Sequence, residues 1–183
     1  MTFVNQKWKS LTKKSILVKK PWFEIFKEKI QLPDGKIVPE YYEIEMPHYT
    51  AVFAVTLEQK IIILRCYRHA IGEVTLTMPG GMIEKGESPL EGIQREFLEE
   101  TGYVAKEWKS LGAFVGNSTR GCGTYHLFFV TEAYSVQEPD SGDLEELKLL
   151  LWTPEDVEKA IDDKQVRSLG VLSMLLLGLR CLK

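Results

Sequence analysis

The sequence predicts a mixed α/β fold of the α+β kind: an α/β sandwich with an antiparallel β lobe at its N-terminus. Three observations point there. Apolar strand patterns and capped helices interleave without the regular βαβ rhythm of a doubly wound parallel sheet. The first 47 residues carry strand patterns on either side of a Leu32-Pro33-Asp34-Gly35 turn. Ser88-Pro89, a cap residue followed by proline, marks a helix start.

The elements follow in order. Trp22 to Ile30 alternates roughly as a strand, and Ile37 to Met46 resumes strand character with Tyr41, Tyr42 and Ile44, so the two form a hairpin or short antiparallel lobe. Thr50 to Thr56 and Ile61 to Tyr67 are apolar and β-branched, joined by the polar Glu58-Gln59-Lys60, and read as a buried hairpin. Thr75 to Met78 is short and extended and is stopped by Pro79-Gly80-Gly81. A helix is predicted over Pro89 to Thr101, strands around Ser110 to Val115, Tyr125 to Thr131 and Leu147 to Trp152, and helices over Pro154 to Asp162 and Ser168 to Leu182. A chain of 183 residues suits one domain with a small appendage, here residues 1–47 as the lobe and 48–183 as the main domain.

Composition narrows the function. With 44% hydrophobic residues there is material for a core, and a net charge of -3 gives no general attraction to nucleic acid or to an acidic membrane surface. An anionic substrate therefore needs a few placed basic groups or metal ions. Cys66, Cys122 and Cys181 are odd in number and widely spaced, which argues against a disulfide framework or structural zinc and for reduced thiols in a cytoplasmic protein. The basic N-terminus has no apolar core behind it to make a secretory signal. The apolar run Leu169 to Leu179 is too short for a bilayer, which needs about 20 residues.

The segment from Gly81 to Tyr103 carries the chemistry. Ser88 is the predicted N-cap, Pro89 the first helical residue and Glu91 the partner in a capping box; Gly102 is placed to end the helix. Leu90, Ile93, Phe97 and Thr101 are the expected buried stripe. Glu96, Glu99 and Glu100 share another face by i, i+3 and i, i+4 spacing, and Arg95 offsets only part of their repulsion. Hard divalent cations prefer such oxygen ligands, and Mg²⁺ or Mn²⁺ is the natural choice. Glutamate-rich helix faces are usually just solvated; here the whole arrangement, from a Gly-Gly turn through Glu87 to Gly102, favours a metal site.

Gly81, Glu87, Arg95-Glu96-Phe97, Glu99-Glu100, Gly102 and Tyr103 resemble the box of the Nudix hydrolases position for position. The resemblance implies an α/β/α sandwich with a mixed sheet and cleavage of a diphosphate by water into two phosphate monoesters. It makes Gly80, through its carbonyl, and Glu96, Glu99 and Glu100 the metal ligands, with Glu87 paired to Arg95 and with Gly81, Glu87 and Gly102 as the structural residues of the box. Glu99, Arg95 and a base from the acidic loop 140–146, Glu145 with Glu146 as the alternative, form the implied catalytic set.

The stretch from about Phe23 to Ile161 is similar to the ADP-ribose pyrophosphatase branch, through Leu32-Pro33-Asp34-Gly35, Tyr41-Tyr42, Arg65-Cys66-Tyr67-Arg68, Met78-Pro79-Gly80-Gly81 and Leu111-Gly112. That branch acts on nucleoside-diphosphate sugars and is usually a homodimer, which implies a homodimer here and a dimerisation or substrate-binding lobe at 1–47. Arg68 matches an arginine that reaches the substrate phosphates. One departure stands out: Asn117-Ser118-Thr119 and Gly123 occupy positions where the branch has Ser-Pro-Gly and a glutamate. Ser118 and Arg120 become the substrate-binding candidates of this loop. Another Nudix substrate, a dinucleotide or modified nucleotide, and a Nudix-fold module that binds without hydrolysing are the alternatives; the complete carboxylate set argues against the latter. His48, His69 and His126 receive no role.

Overall fold

Two compact units divide the chain, residues 1–48 with 115–124 and residues 49–114 with 125–183, in a computed structural model that describes residues 6–142, 144 and 146–183.

In the first unit, β1 (Lys9–Lys19), β2 (Phe23–Gln31) and β3 (Ile37–Glu45) form an antiparallel meander. The predicted Pro-Asp-Gly turn joins β2 to β3: Leu32 N–H donates to the Lys36 carbonyl at 2.9 Å, Lys36 N–H donates to Asp34 Oδ1 at 2.9 Å, and Gly35 sits at φ +88°. Strand β1 was not expected from the sequence. Nearly every residue in it is exposed, and its register slips between Ser10 and Thr12 and again between Ser15 and Leu17, so it has no clean two-residue alternation. Its chemistry lies in charge: Lys13 Nζ stands 3.2 Å from the buried Glu28 and 2.6 Å from Glu43. Residues 115–124, which the sequence reading gave to the main domain, pack with this unit, and Ile44 N–H donates to the Arg120 carbonyl at 2.7 Å.

The second unit is a mixed sheet between helices. β4 (Tyr49–Thr56) runs parallel to the 125–133 part of β9 (Gly121–Ser135), and β5 (Ile61–Arg68) is antiparallel to β4, β6 (Glu73–Thr77) and β10 (Lys148–Trp152). Two-residue alternation sorts the strands onto two faces. Val52, Ala54, Ile62, Phe128 and Val130 pack against Ile93 and Phe97 of α1 (Pro89–Thr101). Phe53, Val55, Ile61, Ile63, Leu127 and Phe129 pack against Val157 and Ala160 of α2 (Pro154–Asp162) and Met174, Leu175 and Leu179 of α3 (Leu169–Cys181). These are the three layers expected. β7 (Tyr103–Val104) pairs with the end of β9, and β8 (Lys109–Asn117) also pairs with β9.

The helix ends are where the caps put them. Ser88 Oγ accepts the Glu91 N–H at 3.2 Å while Glu91 Oε2 accepts the Ser88 N–H at 2.7 Å, and Thr153 with Asp156 repeats the box on α2. One detail of α1 differs from expectation. Leu90 is 39% exposed, and the buried side is Gly92, Ile93, Phe97, Glu100 and Thr101. The helix is rotated so that Gly92, lacking a side chain, lies against the loop, where a Cβ would come 3.3 Å from Glu87 Oε2 and 3.5 Å from Ile83. The same rotation carries Glu100 inward. No helix among the described residues is long and apolar enough to cross a membrane.

Candidate active site

The site grows from the edge of β4. Val52 N–H takes the Pro79 carbonyl at 3.0 Å and Thr50 N–H takes the Gly81 carbonyl at 2.9 Å, so residues 79–81 lie as a short extension of the sheet. Gly80 lies between these two anchored carbonyls, at φ +144°, and a Cβ there would stand 2.1 Å from the Thr50 carbonyl oxygen. Only glycine lets the backbone approach β4 this closely. A Cβ on Gly81 would fall 2.5 Å from Glu96 Cδ and Oε1, which makes Gly81 the floor of a cradle for the Glu96 carboxylate.

The helix α1 supplies the charges. Glu100 is 6% exposed, and its Oε2 accepts the Gly80 N–H at 2.7 Å. Arg95 lies across the middle of the site. Its Nε and Nη2 bind Glu87 Oε1 and Oε2 at 2.8 and 3.1 Å, its Nη1 reaches Glu96 Oε1 at 2.9 Å and Glu99 Oε2 at 3.1 Å, and Nη2 also donates to the Met82 carbonyl at 3.1 Å. Glu87 additionally accepts the Glu84 N–H at 2.8 Å. The Arg95 guanidinium and that N–H hold the Glu87 carboxyl below the usual carboxylate range. Hydrogen bonding to Glu87 drives the Arg95 pKa up, partial burial opposes it, and Glu96 adds to the rise.

Three of the predicted ligands, Glu96, Glu99 and Glu100, therefore sit within about one turn of α1; Glu96 and Glu100 meet the Gly80-Gly81 loop, and Glu99 is held through Arg95. Among the described residues no three acidic, imidazole or thiol groups form a preformed cation cage, because Arg95 holds Glu96 and Glu99 while the Gly80 N–H holds Glu100. The donor set suits a hard cation: carboxylate oxygens, with Glu96 in a cradle that a side chain on Gly81 would enter.

Arg68 ends β5, where the chain turns into a short 3-10 segment, His69–Ile71. Ser118 and Arg120 lie in the first unit. Asn117 Oδ1 accepts the N–H groups of Thr119 and Arg120 at 3.0 and 2.9 Å, which closes a side-chain-capped turn. The Arg120 guanidinium lies 5.4 Å from the Tyr41 ring centroid and donates to the Tyr42 carbonyl at 3.1 Å, while Tyr41 Oη donates to the Thr119 carbonyl at 2.5 Å. An open cavity of about 380 Å³ in this unit is lined by Phe26, Tyr41, His48, Ser118 and Arg120 among others. Glu145 lies outside the described residues; its neighbour Glu146 is exposed. Sequence reasoning missed Gly92 and Thr50, whose roles are close approach and backbone pairing; the small residue at the second helical turn was the only sign of the first.

Comparison with known proteins agrees with this geometry. The model of the family described as NUDIX domain matches residues 46–169. The chain is 31% identical over 144 residues to an ADP-ribose pyrophosphatase of Bacillus subtilis (strain 168), covering 78% of this chain and 77% of that protein. It is 29% identical over 139 residues to a methanol dehydrogenase activator of Bacillus methanolicus, covering 75% and 74%. A crystal structure of an ADP compounds hydrolase superposes with a TM-score of 0.82 at 20% identity, covering 97% of this chain and 95% of that one, which is a likeness of fold.

Proposed function

The chain belongs to the Nudix family of hydrolases, and from that premise we propose that it cleaves the diphosphate of ADP-ribose or a related nucleoside-diphosphate sugar with Mg²⁺ as the working cation. The single observation that carries the reading is the junction of Gly80-Gly81 with α1, where Glu100 accepts the Gly80 N–H and the Glu96 carboxylate lies over Gly81. The likeness to the Bacillus subtilis ADP-ribose pyrophosphatase supports the substrate class.

Gly80, through its carbonyl, with Glu96, Glu99 and Glu100, would hold the metal. When bound, a divalent cation neutralises the diphosphate charge and makes water a competent nucleophile near neutral pH. The chain's own residues do the rest. Arg95 bridges Glu96 and Glu99 through one guanidinium nitrogen and fixes the loop through Glu87. Glu145, or Glu146, accepts the proton of the attacking water. Arg68 binds a phosphate. Ser118 and Arg120 recognise the nucleoside or sugar, with the stacked Tyr41 holding the guanidinium in place. Residues 1–47 serve dimerisation and substrate binding in a homodimer, and three cysteines outside any disulfide suit a cytoplasmic protein.

A panel of nucleoside-diphosphate sugars, dinucleotides and modified nucleotides at fixed Mg²⁺ tests the reading. ADP-ribose or another nucleoside-diphosphate sugar should have the highest kcat/KM. A dinucleotide or modified nucleotide cleaved faster would reassign the substrate, and no cleavage of any member with Mg²⁺ or Mn²⁺ would remove the activity.

A further inference from the structure

The last glycine of the box does more than end a helix. An α-helix leaves its final carbonyls without intrahelical partners. In α1 the Glu99 carbonyl, and beyond the helix the Gly102 carbonyl, are taken up by a segment far later in the chain, a spacing that follows from the fold rather than from local capping. Gly102 N–H closes the helix on the Leu98 carbonyl at 2.8 Å. The Gly102 carbonyl then accepts the N–H groups of Val136 at 2.9 Å and Gln137 at 3.3 Å, and the Glu99 carbonyl accepts the Asp140 N–H at 2.8 Å. Both ends of Gln137-Glu138-Pro139-Asp140 are thus pinned to one helical turn, and Pro139 restricts the chain between them.

We propose that Gly102 is a positioning residue that, with the Glu99 carbonyl, staples the segment Val136–Asp140 to the metal-binding helix and so sets where the acidic run 140–146 starts. The proposal rests on the hydrolase reading above, in which that run supplies the base. Contact geometry separates this role from capping. Gly102 lies at φ +73°, where asparagine is also tolerated, so a cap alone does not demand glycine. A Cβ at this position would stand 2.0 Å from the Gln137 carbonyl oxygen, 3.0 Å from its carbon and 3.3 Å from Glu138 carbonyl carbon. All three are backbone atoms and cannot rotate aside, so a side chain here displaces the segment. Because reactions lose about a hundredfold from misplacements near 1 Å, a small displacement is enough to matter.

Two variants test the staple. Gly102→Asn keeps the left-handed cap but not the close approach; Asp140→Pro, in an exposed segment, removes the N–H that Glu99 accepts. Each is compared with the unaltered chain by digestion with a glutamate-specific protease, scoring cleavage after Glu138, Glu145 or Glu146, and by kinetics on ADP-ribose with Mg²⁺. Cleavage should be faster by about tenfold, as expected when digestion reports local opening, with the thermal midpoint of Asp140→Pro little changed. In the kinetics, kcat should fall by about tenfold or more with KM moved less than about threefold. The proposal is overturned if Gly102→Asn matches the unaltered chain in both assays, if loop cleavage rises while kcat holds, or if Gly102→Asn fails to fold and Asp140→Pro is unchanged in both. Should the unaltered chain cleave no diphosphate, the hydrolase reading fails by itself and the digestion still decides whether the staple exists.

Discussion

The Gly80 N–H donates to the Glu100 carboxylate at 2.7 Å, and this one bond ties the glycine loop on the sheet edge to helix α1. It explains how a carboxylate only 6% exposed is kept in the interior: burial of a charge is costly unless it is hydrogen-bonded, and here a backbone donor is aimed at it. Glu100→Gln keeps the shape and removes the charge. Its kcat should fall by about two orders of magnitude, close to 3 kcal/mol, while the thermal midpoint changes little; steady-state kinetics beside a thermal melt check both, and near-normal turnover would remove Glu100 from the site.

The two box glycines should fail in different ways. A methyl on Gly81 meets the far end of the Glu96 side chain at 2.5 Å, which can swing aside. Gly81→Ala should therefore fold and lose activity by about 10- to 100-fold through a displaced ligand. A methyl on Gly80 meets the Thr50 backbone at 2.1 Å and adds strain at φ +144°. Gly80→Ala should lose stability by about 1–3 kcal/mol in urea denaturation.

Arg95 predicts a pH dependence. Glu87 has its pKa lowered below 4.5 by the Arg95 guanidinium and the Glu84 N–H. A depressed carboxyl contributes stability that is present above the unfolded value and is lost as pH falls through the folded one. Arg95→Lys cannot reproduce the two-pronged contact. It should be less stable than the unaltered chain at pH 7, and the difference should shrink as pH falls below about 4.5. Urea midpoints across that range measure it; a difference constant with pH would mean Arg95 acts without Glu87.

Arg120→Ala should raise KM for the preferred substrate by about tenfold, with kcat less affected, because uniform binding is what such a contact supplies. Removing it also unstacks Tyr41. A variant with unchanged KM would confine Arg120 to holding the Asn117 turn.

What could be read from sequence followed local chemistry. The helix starting at Pro89 was legible because Ser88 with Glu91 is a reciprocal cap, which needs no distant partner; the matching cap of Thr153 with Asp156 emerged with the structure. The layers were legible because β4, β5 and β9 alternate between two apolar faces. Strand β1 was not, since its pairing with β2 tolerates two register slips and exposes both faces. The start of β9 was also hidden: Gly121, Cys122 and Gly123 all have positive φ and look like a loop. Within the site, spacing gave the carboxylates. It could not show that Glu100 turns inward, because that depends on Gly92 and Gly80 meeting other elements closely.

The central claim, cation-dependent hydrolysis of a diphosphate, is tested most directly by following ADP-ribose with phosphorus NMR as Mg²⁺ is added, chelated and restored. The account predicts that the two diphosphate signals convert to two phosphate-monoester signals, that conversion stops on chelation, and that it resumes with Mg²⁺. Diphosphate signals that persist unchanged at every Mg²⁺ and Mn²⁺ concentration, in protein shown to be folded, would contradict it.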